Sequence, residues 1–112
     1  MKFDKMIFKT TVRPDKIKDL QTLLHESLNK TYYQTTELEH EIFGLTLRSD
    51  GSIRDTTGFG YENPEIIVNG LAPFMNKGNL IFLGSLTGDF REFYFDGDGK
   101  VKEFVIKKEI PT

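Results

Sequence analysis

Residues 79–109 decide the fold, and they read NLIFLGSLTGDFREFYFDGDGKVKEFVIKKE. Three segments rich in β-forming residues, 79–86, 90–96 and 100–109, alternate with two short glycine-containing segments. The separators are Thr87-Gly88-Asp89 and Gly97-Asp98-Gly99, and residues of these types favour tight turns. Because strands joined by such short loops pair antiparallel, the stretch predicts a three-stranded antiparallel meander.

The segment before the meander, residues 63–78, predicts a helix. Asn63, Pro64 and Glu65 form a typical helix start, since proline suits the first helical turn. Apolar residues then recur at helical spacing as far as Met75, and Gly78 predicts the end. Gly70 and Pro73 lie inside this segment, so we expect a short or kinked helix.

Residues 31–57 are less clearly patterned. Residues 38–42 alternate polar and apolar side chains, which favours strands near 38–49 and 52–57. Asp50-Gly51 between them is a strong signal for a type I′ hairpin turn, which requires positive φ at both central positions. An alternative starts a helix here, with Thr36 as the N-cap and Glu39 as its capping-box partner.

The N-terminal part predicts a strand at 3–13 followed by a helix at about 14–30. Met6, Phe8 and Val12 alternate with polar residues, and leucines after Pro14 recur at three- and four-residue steps. The order is therefore β-α-β-β-α-β-β-β in one domain, 1–112. It predicts an α+β fold, with a mainly antiparallel sheet and two helices on one face. The order matches a ferredoxin-like or related sandwich with an extra C-terminal hairpin, and it leaves the other sheet face open.

The composition excludes several kinds of chemistry. Cysteine is absent, which excludes disulfides, thiolate metal sites and a cysteine nucleophile and fits a cytoplasmic protein. No stretch of about 20 apolar residues is present, and charged residues interrupt the N-terminus. We therefore expect a soluble protein without membrane contact. Ten phenylalanines and no tryptophan favour a large core or an interface.

The net charge of −2 is unevenly distributed, and the acidic residues concentrate in the segment 26–65. No basic stripe is visible, so direct binding to nucleic acid is not expected. An acidic segment favours a basic protein partner, because complementary charge speeds association. The candidate steering residues are Glu37, Glu39, Glu41, Asp50 and Asp55.

The sequence from Asp96 to Lys100, DGDGK, resembles the start of an EF-hand calcium loop. Lys100 and Val101 stand where that loop needs a ligand and a glycine, and Lys107 where it needs a glutamate. A hairpin turn is therefore the favoured interpretation. The two histidines have no metal-ligand spacing, and we expect neither a metal nor a cofactor.

Two further segments supply candidate binding residues. The loop Gly58–Tyr61 precedes a predicted helix start, where backbone N–H groups can bind an anion. Its Phe59 and Tyr61 are candidate anchors, although the loop can also fold over the core. In the strand 90–95, Arg91 and Tyr94 fall on opposite faces, and either can anchor a partner if it lies on the open face.

These observations favour a non-catalytic protein-interaction domain. No Gly-x-Ser-x-Gly elbow or other catalytic constellation is present. In size, acidity and lack of motifs, the chain resembles the small immunity or inhibitor proteins of bacteria and phages. The alternative is a binding protein for a small anion or nucleotide, or a small α+β enzyme, that uses the Gly58–Tyr61 loop. Homo-oligomer formation is compatible with both.

Overall fold

The computed structural model describes residues 3–30, 34, 36–42, 44–55, 60, 61 and 63–104, except the side chains of Leu28, Glu37 and His40. The helices are α1 (Ile17–Asn29), α2 (Glu37–Ile42) and α3 (Pro64–Leu71). The strands are β1 (Lys5–Lys9), β2 (Leu45–Leu47), β3 (Ile53–Asp55), β4 (Gly78–Leu83), β5 (Phe90–Phe95) and β6 (Val101–Phe104). None of the helices in this part of the chain has the length and apolar character that crossing a bilayer requires.

Four strands form one antiparallel sheet in the order β1-β4-β5-β6. β4, β5 and β6 are consecutive neighbours, as the predicted meander requires. β1 joins the other side of β4, in a register that runs from Lys5↔Leu83 to Lys9↔Asn79. The α+β class and the antiparallel sheet are therefore confirmed.

One face of this sheet contributes its side chains to the hydrophobic core. Phe82 and Phe95 are fully buried there, and the Phe82 ring meets Phe3, Tyr61 and Phe93 edge-on. Apolar side chains from α1 and α3 complete the same cluster. They are Leu20, Leu24, Ile67, Val68 and Leu71. Both longer helices therefore lie on one face of the sheet, as predicted.

Proline opens both of these helices. Pro14 starts a 3-10 turn that leads into α1, and Pro64 is the first residue of α3. α3 ends at Leu71 and continues as a 3-10 turn, Ala72–Phe74, so the predicted short helix is confirmed. Packing explains why position 70 is a glycine, because a Cβ atom there would collide with the side chain of Leu38 on α2.

The strand predicted near 38–49 is wrong in its first half, because residues 37–42 form α2. The alternative start at Thr36 is confirmed. Thr36 Oγ1 accepts the backbone N–H of Glu39 at 3.2 Å, and Glu39 Oε1 accepts that of Thr36 at 3.2 Å. This reciprocal capping box satisfies N–H groups that a helix start otherwise leaves unpaired.

β2 and β3 pair as a separate two-stranded antiparallel sheet and do not join the four-stranded sheet. The predicted type I′ turn is wrong, because Gly51 alone has a positive φ, of 87°. Arg48 C=O accepts the N–H of Gly51, and Arg48 N–H donates to Ser52 C=O, both at 2.9 Å. These bonds define a three-residue loop with a glycine bulge.

Candidate partner-binding surface

The second face of the four-stranded sheet, here called the open face, carries no buried residue. It is the set of side chains that alternates with the core-facing set along each strand. Its members are Lys5, Ile7, Lys9, Asn79, Ile81, Leu83, Phe90, Glu92, Tyr94, Lys102 and Phe104. These positions, from four strands, form one continuous surface.

Apolar and aromatic side chains make up just over half of the open face, and they surround Glu92 on the central strand β5. Ile7 and Ile81 are direct cross-strand partners and are partly exposed, as is Leu83. Phe90 and Phe104 are exposed to 43% and 45%. Since most large apolar side chains in the described part of the chain are buried, this concentration marks the open face as unusual.

Tyr94 is the sequence-predicted anchor that lies on the open face. Its ring meets Phe104 edge-to-face, with centroids 6.1 Å apart and planes at 63°. Lys102 is its direct partner on β6. A shallow depression beside the ring is bordered by Lys100, Lys102 and Asp96, so Tyr94 combines an aromatic surface with nearby charges of both signs.

Arg91 faces the core side, where it joins the sheet to α3. Its Nε and Nη2 donate to the two carboxylate oxygens of Glu103 at 2.7 and 2.9 Å, and Nη2 also pairs with Glu65. The guanidinium carbon lies 5.0 Å from the ring centre of Phe93, a cation–π contact. The hydrogen bonds to Glu103 and then to Glu65 raise the pKa of Arg91. Arg91 therefore connects β5 to β6 and α3, on the side of the sheet away from the open face.

Glu39 does not belong to an acidic surface, because its side chain is 2% exposed. Lys30 Nζ lies 3.0 Å from each of its carboxylate oxygens. The hydrogen bond from Lys30, followed by those from Thr36, lowers the pKa of Glu39 despite its burial. Glu41 on the same helix is partly exposed, and the side chain of Glu37 lies outside the described part.

Asp50 and Asp55 lie in the β2–β3 hairpin. Asp50 is exposed, and its Oδ1 accepts the backbone N–H and the hydroxyl of Ser52 at 2.9 and 2.7 Å. These bonds, first the one from the hydroxyl, lower the pKa of Asp50. Asp55 ends β3 and is partly exposed. The five predicted steering residues are thus divided between α2 and this hairpin, and Glu39 is turned inward.

Tyr61 is buried in the core and not presented on a loop tip. Its exposed fraction is 3%, and its backbone pairs with that of Phe3 in an isolated bridge. Gly58 and Phe59 of this loop lie outside the described residues. The anion-binding alternative for this loop therefore stays a prediction.

The sequence from Asp96 to Lys100 is a hairpin turn. Asp96 Oδ1 accepts the backbone N–H groups of Asp98 and Lys100 at 2.7 and 3.0 Å, which lowers the pKa of Asp96. Gly97 and Gly99 take φ values of 84° and 90°, which favour glycine. Among residues 3–104 where described, no three acidic or histidine side chains are grouped to hold a metal ion.

Sequence reasoning missed the lysines and aliphatic residues of the open face. The alternation of side chains in 79–83 and 101–104 was the sequence signal for this face, but only the pairing with β1 places Lys5, Ile7 and Lys9 beside those strands.

Comparisons with protein-family models, with curated proteins and with solved structures find no match. The function is therefore inferred from the geometry of the molecule itself.

Proposed function

We propose that this protein is a non-catalytic protein-interaction domain whose contact surface is the open face. The observation that carries the proposal is the apolar part of that face, with Phe90, Tyr94 and Phe104 as its aromatic members. Exposed apolar patches with polar rims are typical of protein-binding sites, and tyrosine is enriched among residues that dominate binding energy. Tyr94 is the central anchor in this proposal.

Three parts of the proposal rest on the sequence. They are the cytoplasmic location, the immunity- or inhibitor-type role, and the steering of a basic partner by the exposed acidic residues. Glu39 contributes least to that steering, because it is buried and paired with Lys30. None of the predicted steering residues is on a strand of the four-stranded sheet, so any steering would act at a distance from the open face.

Site-specific photo-crosslinking tests the proposal. A benzophenone amino acid replaces Tyr94 in one sample and the exposed Gln21 of α1 in a control, and each is irradiated in a lysate of the source cells. We expect a discrete protein adduct from position 94 alone. Excess unlabelled wild type should compete the adduct away, and the variant Tyr94→Ser/Phe104→Ser should not.

Equal adducts from both positions, or no adduct from position 94, would contradict the proposal. Thermal unfolding of the double variant provides the folding control. Both substituted side chains are only partly buried, so the variant should remain folded.

A further inference from the structure

Three lysines lie at the borders of the open face. Lys5 and Lys9 are on β1 at one edge of the sheet, and Lys102 is on β6 at the other. Glu92 is the one acidic member of the face, and it lies on the central strand β5 between Ile81 and Phe104. Its Oε1 accepts a hydrogen bond from Asn79 Nδ2 at 2.6 Å. The face therefore carries a net positive charge in a chain whose net charge is −2.

These lysines are exposed, and the ion pairs found among the described residues do not include them. Some other basic side chains are paired within the molecule. Arg91 pairs with Glu65 and Glu103, and Lys30 pairs with Glu39. The positive charge around the apolar part of the face is thus available to a ligand.

The apolar part of the face fits apolar side chains better than nucleic-acid bases. Ile7, Ile81 and Leu83 supply branched aliphatic surface, whereas base stacking needs flat aromatic faces. Of the three rings on this side, Tyr94 and Phe104 are set at 63° to each other.

A second copy of the chain is a poor occupant for an electrostatic reason. Two open faces brought together would oppose one positive surface to another, and like charges across an interface are unfavourable. A complementary ligand instead presents carboxylates around an apolar core.

We infer that the partner of the open face is an acidic protein segment, in which glutamate or aspartate side chains pair with Lys5, Lys9 and Lys102 around contacts to the apolar side chains of the face. The inference rests on the proposed function and assigns an acidic partner to the open face, in place of the basic partner that the acidic residues of segment 26–65 favour. Complementary charge of this kind speeds encounter and selects the partner.

The test uses the full chain and two short synthetic peptides of identical apolar content. In one peptide glutamate alternates with leucine and phenylalanine, and in the other lysine replaces each glutamate. Amide chemical shifts in ¹⁵N-labelled protein report where each peptide binds, and titration gives the affinity. Oligo-dT and phosphatidylserine vesicles are titrated in parallel as the other anionic surfaces.

We expect the glutamate peptide to shift amides of β1, β4, β5 and β6 and to bind more tightly than the lysine peptide. Lys9→Glu or Lys102→Glu should each weaken it roughly fivefold, which is about what an exposed ion pair contributes. Lys18→Glu on α1, exposed and outside the open face, is the matched control and should change the affinity little.

Equal affinity for the two peptides at the open face would overturn the charge inference and leave the proposed function standing. Preference for the lysine peptide, tighter binding of oligo-dT or vesicles, or no binding by any probe would also overturn the inference. The crosslink at position 94 separately decides the proposed function, so the two failures are distinguishable.

Discussion

Arg91 and Tyr94 lie on the same strand and face opposite ways. Arg91 joins β5, β6 and α3 through Glu103 and Glu65 and packs over Phe93. Tyr94 lies on the open face beside Phe104. Of these two sequence-predicted anchors, Tyr94 is therefore the one on the proposed contact surface, and Arg91 is a structural residue.

Arg91→Lys should lower the free energy of unfolding by about 1 kcal/mol, because lysine cannot make the two parallel hydrogen bonds to Glu103. The effect stays modest because both partner carboxylates are partly in water. Urea denaturation measures it, with Arg54→Lys as the control, because Arg54 is an exposed residue of β3. An Arg91→Lys midpoint equal to that of wild type would show that the two parallel hydrogen bonds to Glu103 contribute nothing to stability.

α2 is an element of six residues that depends on its start. A helix this short gains little from propensity alone, so its capping box and the burial of Ile42 and Glu39 hold it in place. Lys30, after the end of α1, contacts Glu39 and so ties the two helices together.

Thr36→Ala removes the hydroxyl that accepts the Glu39 N–H and should cost about 1 kcal/mol of stability. Thr36→Ser keeps the hydroxyl and is the matched control. Chemical denaturation of both variants makes the comparison. If the alanine variant is as stable as the serine variant, the capping box does not stabilise α2.

The sequence predicted those elements whose pattern is long and regular. The meander and the two longer helices show a consistent period and clear end signals, such as Pro14, Pro64 and the glycine turns. α2 was misassigned because Glu37, Glu39 and Glu41 alternate with other residues over a segment too short to separate the two periods. Its capping box at Thr36 was the better signal.

At the scale of the whole molecule, the open face combines residues that are distant in the sequence. Lys5, Ile7 and Lys9 come from the first strand and meet residues of the last third through the β1–β4 pairing. Counting charges along the sequence drew attention to the acidic segment 26–65. It did not reveal the lysines at the borders of the open face, Lys5, Lys9 and Lys102. The alternation in β5 predicted opposite faces for Arg91 and Tyr94, but only the packing of α1 and α3 decides which face is covered.

The free energy of unfolding of the whole molecule should decrease as the pH falls into the acidic range. Hydrogen bonds and ion pairs lower the folded-state pKa of Asp4, Glu39, Asp50, Glu65 and Asp96. A lowered folded-state pKa means that the stabilisation is present above the usual values of 3.8 and 4.5. It is lost as the pH falls through the lower folded values.

We therefore expect similar unfolding free energies from pH 7 to about 5 and a progressive loss below about pH 4.5. Urea titrations across this range measure it. Asp96→Asn keeps an oxygen acceptor for the turn but has no charge to titrate, so it should show a smaller acid loss. Higher stability at pH 3 than at pH 7 would contradict the assigned interactions.

Hydroxyl-radical footprinting tests most directly the central claim that the open face is a contact surface. Isotope-labelled protein is oxidised alone and in a lysate of the source cells, and modification is read at Phe90, Tyr94 and Phe104, with the fully exposed Leu86 as reference. The account predicts protection of the three aromatic residues in the lysate, reversed by high salt, while Leu86 changes little. Equal modification of all three with and without lysate would contradict it.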